Sequence, residues 1–215
     1  VKRREFIAQG IGTAAALRLS GVVRAAAAPQ AFQLNYAPSF GQFKAHAGTG
    51  LVAQIEFAAN EGFTAMFDNG IMGRPVADQE LISRELSRRN MLLGPFVLLA
   101  EFDKKSFVVR DKDVRAALVQ KMRDGVETMK RTGARQALVV PGRYDESLAW
   151  DYQTANVIEN LRACMDVCQP AGLVIVLEPL NPKNHPGLFL TKIPQAYQIC
   201  RAVNSSSCKI INDIY

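Results

Sequence analysis

LVIVLEPLNP, residues 173–182, is the stretch from which the fold is most directly predicted. Its first five residues are apolar, and those at 174–176 are β-branched, which is typical of a strand buried on both faces in a parallel sheet. Glu178 follows the apolar run, and Pro179 has no amide hydrogen to donate to a neighbouring strand. The strand is therefore predicted to end with Glu178 at its carboxyl end.

A second apolar run, CKII at residues 208–211, is followed by Asn212 and Asp213. Neighbouring strands lie about 4.8 Å apart, and in parallel sheets their carboxyl ends share one edge, so Glu178 and Asp213 are expected to face the same space. Two carboxylates there would raise one another's pKa unless a cation lay between them. The predicted cofactor is a hard divalent metal, Mg²⁺, Mn²⁺ or Co²⁺. The alternative is that Glu178 only closes a strand at the surface.

Segments typical of strands and helices alternate along the chain. Four more strands are predicted, at residues 32–36, 64–67, 96–100 and 137–140. Helices are predicted at residues 51–60, 78–89 with Asp78 as N-cap, 113–131, 150–168 and 193–203. This alternation indicates an α/β fold with a parallel sheet, either a doubly wound open sheet or a (βα)8 barrel. The first strand is followed by no glycine-rich dinucleotide or phosphate motif, which disfavours a nucleotide-binding open sheet.

The first 28 residues are predicted to be a signal peptide, separate from one domain at residues 29–215. Basic residues at 2–4 precede a mildly apolar run at 8–23 and four alanines at 25–28, the order found in export signals. The paired arginines resemble the twin-arginine type, which predicts a periplasmic protein. A basic N-terminal helix of a cytoplasmic protein is the alternative. Polar residues and glycines within the run disfavour a stable membrane span.

The charge distribution disfavours nucleic acid as a partner. The net charge is +6, but residues 1–28 contain five basic residues and one acidic residue. The remaining 21 basic and 19 acidic residues give a net charge of +2, which is too balanced for a nucleic-acid surface. The four cysteines have no C-x-x-C spacing, so they are predicted to be reduced and mostly buried thiols.

The segment EPLNPKNHPGLFLT at residues 178–191, together with KIINDIY at 209–215, resembles the hydroxypyruvate isomerase group of the xylose-isomerase-like TIM barrels. NYAPSF at residues 35–40 and FDNG at 67–70 support the resemblance, which extends over residues 32–215. It implies a (βα)8 barrel. A complete barrel has eight strands in about 250 residues, so this one is expected to be truncated after strand six.

The resemblance also implies an activity, the metal-dependent isomerisation of small hydroxy-carbonyl compounds through an enediolate. Glu178 would be both metal ligand and acid/base, and Asp213 would be a second ligand. Further ligands, including a second Glu as partner acid/base, would lie on strands seven and eight, beyond residue 215. The chain as given is therefore expected to have little isomerase activity.

Loop residues at the same edge are predicted to contact the substrate, a small carbohydrate or hydroxy-keto acid. His185 is one candidate, with a solvated loop residue as the alternative. Asn181 either touches substrate or shapes its loop. His46, in the loop after the first strand, is the third candidate. The open edges of a six-stranded sheet also predict association, so a homo-oligomer is possible.

Two other functions remain open from the sequence. One is a non-catalytic sugar-binding barrel, or a truncated inactive product, that keeps the ligand cleft but has lost the second acid/base. The other is a phosphodiester-cleaving relative such as an apurinic-site endonuclease. That activity requires a cluster of zinc-binding histidines, whereas the sequence has only His46 and His185 and a balanced charge.

Overall fold

Short apolar segments form parallel strands, and the amphipathic segments between them form helices on the outer side. The computed structural model describes residues 30–214, so the predicted signal peptide lies outside the described part of the chain. Within it, the strands are β1 (Ala65–Met66), β2 (Leu92–Leu93), β3 (Phe96–Ala100), β4 (Gln136–Val140), β5 (Val174–Leu177) and β6 (Cys208–Ile210). The helices are α1 (Lys44–Ala47), α2 (Leu51–Asn60), α3 (Val76–Arg88), α4 (Lys112–Thr132), α5 (Trp150–Ala171) and α6 (Ile193–Val203).

The strands follow one another in chain order, as expected for part of a (βα)8 barrel. β3, β4, β5 and β6 form one parallel sheet, and β1 pairs in parallel with β2. β2 and β3 belong to one apolar run that Gly94 and Pro95 interrupt. The amide of Gly94 donates to the carbonyl of Met66, and the amide of Val97 donates to the carbonyl of Asn69, so this run connects the two sheets. The barrel prediction therefore agrees with the structure, in which the described strands form part of a barrel.

The predicted first strand at residues 32–36 is wrong. The amide of Tyr36 donates to the carbonyl of Leu34 two residues earlier, a tight turn that is incompatible with an extended strand. The corresponding position in the barrel is taken by a later segment, where Ser39 forms an isolated parallel bridge with Phe67. The alternating pattern at 32–36 was misleading because no neighbouring strand covers its apolar side chains, which are exposed.

β5 is buried on both faces, as its sequence predicts. Ile175 and Leu177 lie in the large core between the sheet and the helices. Val176 points to the opposite face, where it packs with Leu138 and Val140 of β4 inside the partial barrel. Alternate side chains of a strand point to opposite faces, so an uninterrupted apolar run is the pattern that this double burial requires.

The helices agree closely with their predicted positions. α2 and α6 have the predicted bounds, and α4 is one residue longer at each end. At its start the Asp111 carboxylate accepts the amide hydrogens of Asp113 and Val114, and at its end Gly133 terminates the helix with a left-handed φ. Asp78 is not the N-cap of α3. That helix begins at Val76 after Pro75, which leaves Asp78 in its first turn. Within residues 30–214 there is no helix with the length and apolar character needed to span a membrane.

Gly142 offers a test of how tightly the loop after β4 is packed. Its φ is +92°, and a Cβ atom there would lie 2.6 Å from the carbonyl oxygen of Lys104 and 2.7 Å from Oγ of Ser106. The Lys104 carbonyl also accepts the amide hydrogen of Arg143, at 2.8 Å, which limits its movement. We predict that Gly142→Ala lowers the free energy of unfolding by about 3 kcal/mol, from the left-handed backbone and the clash together.

Gly133→Ala is the matched control. Gly133 also has a left-handed φ, +76°, but a Cβ atom there would meet nothing within 4 Å. Gly133→Ala should therefore lower the free energy of unfolding by only about 1 kcal/mol, the cost of the backbone conformation alone. Urea denaturation of the two variants measures the difference, and equal losses would show that the clash at Gly142 is relieved without cost.

Candidate active site

The backbone ladder continues beyond β5 and β6 and thereby places two carboxylates at one edge of the sheet. The amide of Glu178 donates to the carbonyl of Val139 at 3.1 Å, and the amide of Ile211 donates to the carbonyl of Leu177 at 3.1 Å. Ile211 packs against the apolar cluster inside the partial barrel. Since side chains alternate along a strand, Glu178 shares the inner face with the residue two before it, and Asp213 follows Ile211 by two.

The structure brings the carboxyl groups of Glu178 and Asp213 into contact. Burial raises the pKa of the Glu178 carboxyl, and the neighbouring charge of Asp213 and a hydrogen bond between the two side chains raise that pKa further. Such a hydrogen bond requires a proton on one of the two carboxyl groups. The predicted convergence of the two residues is thus present, whereas their roles as metal ligands and acid/base remain predictions.

A cavity of about 630 Å³ lies beside this carboxyl pair. Asp213 lines it together with Asn181, Lys183 and His185, and Pro179, next to Glu178 in the chain, forms part of its wall. The loop after β5 and the segment after β6 therefore enclose one space at the carboxyl end of the strands. This is the position where ligands bind in barrels of parallel strands.

Asn181 shapes the loop that follows β5. Its Oδ1 atom accepts the amide hydrogen of Asn184 at 2.9 Å, and its carbonyl accepts the amide hydrogen of His185 at 3.0 Å. The loop returns on itself where the amide of Leu180 donates to the carbonyl of Leu190 at 3.2 Å. Of the two roles predicted for Asn181, the loop-shaping one is thus visible in the structure, and contact with substrate remains a prediction.

His185 is held over the cavity by a residue that the sequence analysis did not identify. Its imidazole stacks on the ring of Phe102, with centroids 5.4 Å apart and an angle of 27° between the planes. Phe102 follows β3, two strands away from the loop that carries His185. A signal for it existed in the sequence, an aromatic residue two positions after a strand end, but its partner lies 83 residues away in the chain.

His46 is not part of this cavity. It lies in the short helix α1 rather than in the predicted loop, and its imidazole stacks on Phe57 of α2 with centroids 5.7 Å apart. The side chain is otherwise exposed. The structure does not bring His46 together with Glu178 and Asp213, so its predicted role in substrate binding has no geometric support.

The carboxyl pair fits part of a metal site. Carboxylate oxygens are suitable ligands for Mg²⁺, Mn²⁺ or Co²⁺. Within residues 30–214, however, no group of three or more His, Cys, Asp or Glu residues could hold a metal ion. Glu178 and Asp213 would therefore supply two ligands, and the others would have to come from outside the described residues or from water.

Parallel strands covered by helices, with carboxylates converging at the carboxyl end of the strands, define a partial (βα)8 barrel with an enzyme-like site. The chain belongs to the xylose isomerase-like TIM barrel family, which it matches over residues 51–215. The family to which the sequence motifs pointed is thereby confirmed.

The chain is also similar to a curated relative and to several solved structures. The chain is 30% identical over 61 residues to the 2-oxo-tetronate isomerase of Cupriavidus necator, a match that covers 28% of this chain and 24% of that protein. A family 2 AP endonuclease from Brucella melitensis superposes with a TM-score of 0.65 at 20% identity, over 83% of this chain and 68% of that one.

Two further solved structures are similarly related. The 3-keto-D-glucoside 4-epimerase of E. coli has a TM-score of 0.64 at 14% identity, over 85% of this chain and 69% of that one. The IOLI protein, solved with a bound zinc atom, has a TM-score of 0.61 at 17% identity, over 81% of this chain and 62% of that one. At these identities the structures establish the fold. The chain spans about two thirds of their length.

The raised pKa of Glu178 predicts how stability depends on pH. Above its ordinary pKa of 4.5, the folded chain retains the Glu178 proton while the unfolded chain releases it. The contribution of this group is therefore most favourable below pH 4.5 and is lost as the pH rises through the raised pKa. We predict that Glu178→Gln removes this loss, so that the free energy of unfolding of the variant falls less with rising pH than that of the wild type.

Glu101→Gln provides the control. Glu101 also follows a strand, but it forms an ion pair with Lys104 at 3.4 Å and lines a separate cavity against α4. Urea denaturation of both variants between about pH 4 and pH 8 separates the effect of the carboxyl pair from that of replacing any carboxylate at a strand end. Superimposable pH curves for the wild type and Glu178→Gln would contradict the effect of the carboxyl pair.

Proposed function

We propose that this chain forms the proton-transfer and metal-binding part of an isomerase or epimerase that acts on small hydroxy-carbonyl compounds, of the hydroxypyruvate isomerase type. The observation that carries the proposal is the contact of the Glu178 and Asp213 carboxyl groups beside a cavity at the carboxyl end of β5 and β6. Membership in the xylose isomerase-like family and the similarity to a 2-oxo-tetronate isomerase support this class of reaction.

Glu178 has the properties that a general acid/base requires. Its pKa is raised above that of a free glutamate, and the side chain is half-buried rather than fully solvated. A raised pKa makes the ionised carboxylate a stronger base than that of a free glutamate, which suits a group that has to accept a proton from substrate. Glu178 would remove a proton from the carbon beside a carbonyl group, and the partner acid/base that the family resemblance implies, outside the described residues, would supply one to the neighbouring carbon. The hydrogen bond with Asp213 holds the proton within the cavity.

A divalent metal ion would be held by Glu178 and Asp213, completed by ligands from outside the described residues. When bound, such an ion supplies positive charge that stabilises the oxygens of an enediolate. The cavity of about 630 Å³ is within the range of small-molecule sites. His185, fixed against Phe102, and Lys183 are the polar groups in its wall best placed to contact a substrate with carboxylate or hydroxyl groups.

A non-catalytic sugar-binding barrel is the second candidate function. It is favoured by one observation: in residues 30–214, no further His, Cys, Asp or Glu completes a three-residue group with the carboxyl pair. A barrel of this kind would bind ligand in the same cavity without isomerising it. Nuclease activity like that of the AP endonuclease is disfavoured by the presence of only two histidines in the sequence and by the balanced charge of residues 29–215.

Two further properties are proposed with this function. The basic and alanine-rich sequence of residues 1–28 supports export by the twin-arginine route. Within the described residues, β6 pairs with β5 on one side only, and an unpaired strand edge supports association with another copy of the chain. The proposed partners are a small-molecule substrate and other copies of this protein.

Metal binding should depend on both carboxylates. We predict that Mn²⁺, titrated into the purified chain by calorimetry, binds about 10-fold more weakly to Glu178→Gln and to Asp213→Asn than to the wild type. Binding should also strengthen as the pH rises, because the ion must displace the proton shared by the pair. Glu101→Gln should bind like the wild type, and unchanged affinity in both site variants would exclude this pair as ligands.

Proton exchange separates catalysis from binding. In deuterated water with Mn²⁺ and hydroxypyruvate, we expect the chain to exchange the hydrogens beside the carbonyl faster than it forms tartronate semialdehyde. Glu178 can remove a proton, whereas the second Glu that the family resemblance implies as the partner acid/base is not among the described residues. Proton NMR follows both processes, and Glu178→Gln should reduce exchange by about 100-fold, the typical contribution of a general base.

The other outcomes of this measurement are equally informative. Saturable binding of hydroxypyruvate without exchange would favour the non-catalytic barrel. Product formation as fast as exchange would contradict the predicted impairment of turnover. Exchange that is equal in the wild type and Glu178→Gln would remove Glu178 from the proton transfer.

A further inference from the structure

A pair of cysteines lies outside the candidate active site. Cys200 belongs to the last turn of α6, and Cys208 is the first residue of β6. Their Sγ atoms are 3.6 Å apart. Both thiols are free, as are those of Cys164 and Cys168, which lie buried within α5. The short connection between α6 and β6 therefore brings together two thiols that share no role in the isomerase site.

One of the two thiols can be reached from solvent. A cavity of about 460 Å³ is lined by both cysteines, with Cys200 half-buried and Cys208 buried. The same cavity is lined by Tyr197, Arg201 and Lys209. Neither Arg201 nor Lys209 forms an ion pair with another described residue. A reagent entering here meets Cys200 first, in positively charged surroundings that favour an anion.

The two thiols differ in acidity. A hydrogen bond from the Cys208 thiol lowers the pKa of Cys200, and the charge of Lys209 lowers it further, against the opposing effect of burial. The same hydrogen bond and burial raise the pKa of Cys208. Because the thiolate is the reactive form of cysteine, Cys200 is the nucleophile that reacts first. Cys208 is the thiol that reacts second.

We propose that Cys200 and Cys208 form a thiol–disulfide exchange site for a small anionic disulfide of the oxidised glutathione type. The Cys200 sulfur attacks one sulfur of the small disulfide, whose S–S bond breaks and releases one thiol. The Cys208 sulfur then loses its proton, attacks Sγ of Cys200 and releases the second thiol. Two protein thiols are oxidised to one disulfide, and one small disulfide is reduced to two thiols. This site is independent of the proposed isomerase function.

The pair needs only a local movement to form the bond. A disulfide has sulfur atoms about 2.05 Å apart, so the present separation must shorten by roughly 1.5 Å. Cys200 lies in the last turn of α6, the part of a helix that is held by the fewest hydrogen bonds. The helix ends at Val203, and Asn204, with a left-handed φ of +57°, begins the short loop to Cys208.

The test uses the full chain incubated with oxidised glutathione and then digested with trypsin. Trypsin cleaves after Arg201, so Cys200 and Cys208 fall on different peptides that remain joined only by a disulfide between them. We expect mass spectrometry to detect this joined pair in the wild type and in Cys168→Ala. Cys208→Ser should stop at a glutathione adduct on Cys200, and Cys200→Ser should give neither product.

The charge of the cavity is tested separately. We expect the double substitution Arg201→Gln and Lys209→Gln to slow oxidation by oxidised glutathione several-fold, and to leave oxidation by cationic cystamine equal or faster. Circular dichroism would verify that each variant is folded. The proposal fails if the folded wild type forms no joined peptides, if it accumulates the glutathione adduct, or if Cys208 pairs with Cys164. An equal effect of the double substitution on both reagents would overturn the anionic specificity.

Discussion

Two carboxyl groups are forced against each other at the carboxyl end of β5 and β6, and the candidate site depends on this contact. Like charges in a half-buried position repel, and the arrangement lasts only if a proton or a cation offsets the repulsion. The backbone imposes the contact, because Glu178 continues the ladder with β4 and Ile211 continues the ladder with Leu177. A bound metal ion would therefore stabilise the pair, because its positive charge would offset the repulsion between the two carboxylates.

The apolar interior beneath the site makes an uncompensated negative charge on Glu178 still less favourable. Val176 and Val140 fill the inner face of the sheet, and Leu188 returns from the loop after β5 to pack against them. The side chains of these residues carry no hydrogen-bond donor, and burial of the Glu178 carboxyl raises its pKa. The sheet thus has two functions on its two faces: the outer face anchors the helices, and the inner face sets the acidity of the site.

The parts of this arrangement that depend on local pattern could be predicted from the sequence, and the parts that depend on loop packing could not. Apolar periodicity located α6, and an apolar run followed by a carboxylate located β5 and Glu178. The alternation at residues 32–36 failed because strand formation also requires a neighbour to pair with. His46 was misplaced for a related reason. Its position after the predicted strand at residues 32–36 did not reveal that its ring would pack on Phe57 of α2.

The loop after β5 shows why the rest of the site needs the whole four-stranded sheet. Its position is fixed by the loops after β3 and β4: His185 stacks on Phe102, and Leu188 bridges Arg143. Gly187 permits the second contact, since a Cβ atom there would lie 2.6 Å from the Arg143 guanidinium. The carboxyl pair requires only β4, β5 and β6, whereas the placement of His185 also requires β3. Substitutions after β3 would therefore displace the substrate-facing wall of the cavity while leaving the carboxyl pair in place, so the acid/base chemistry and the substrate preference of this site can change independently.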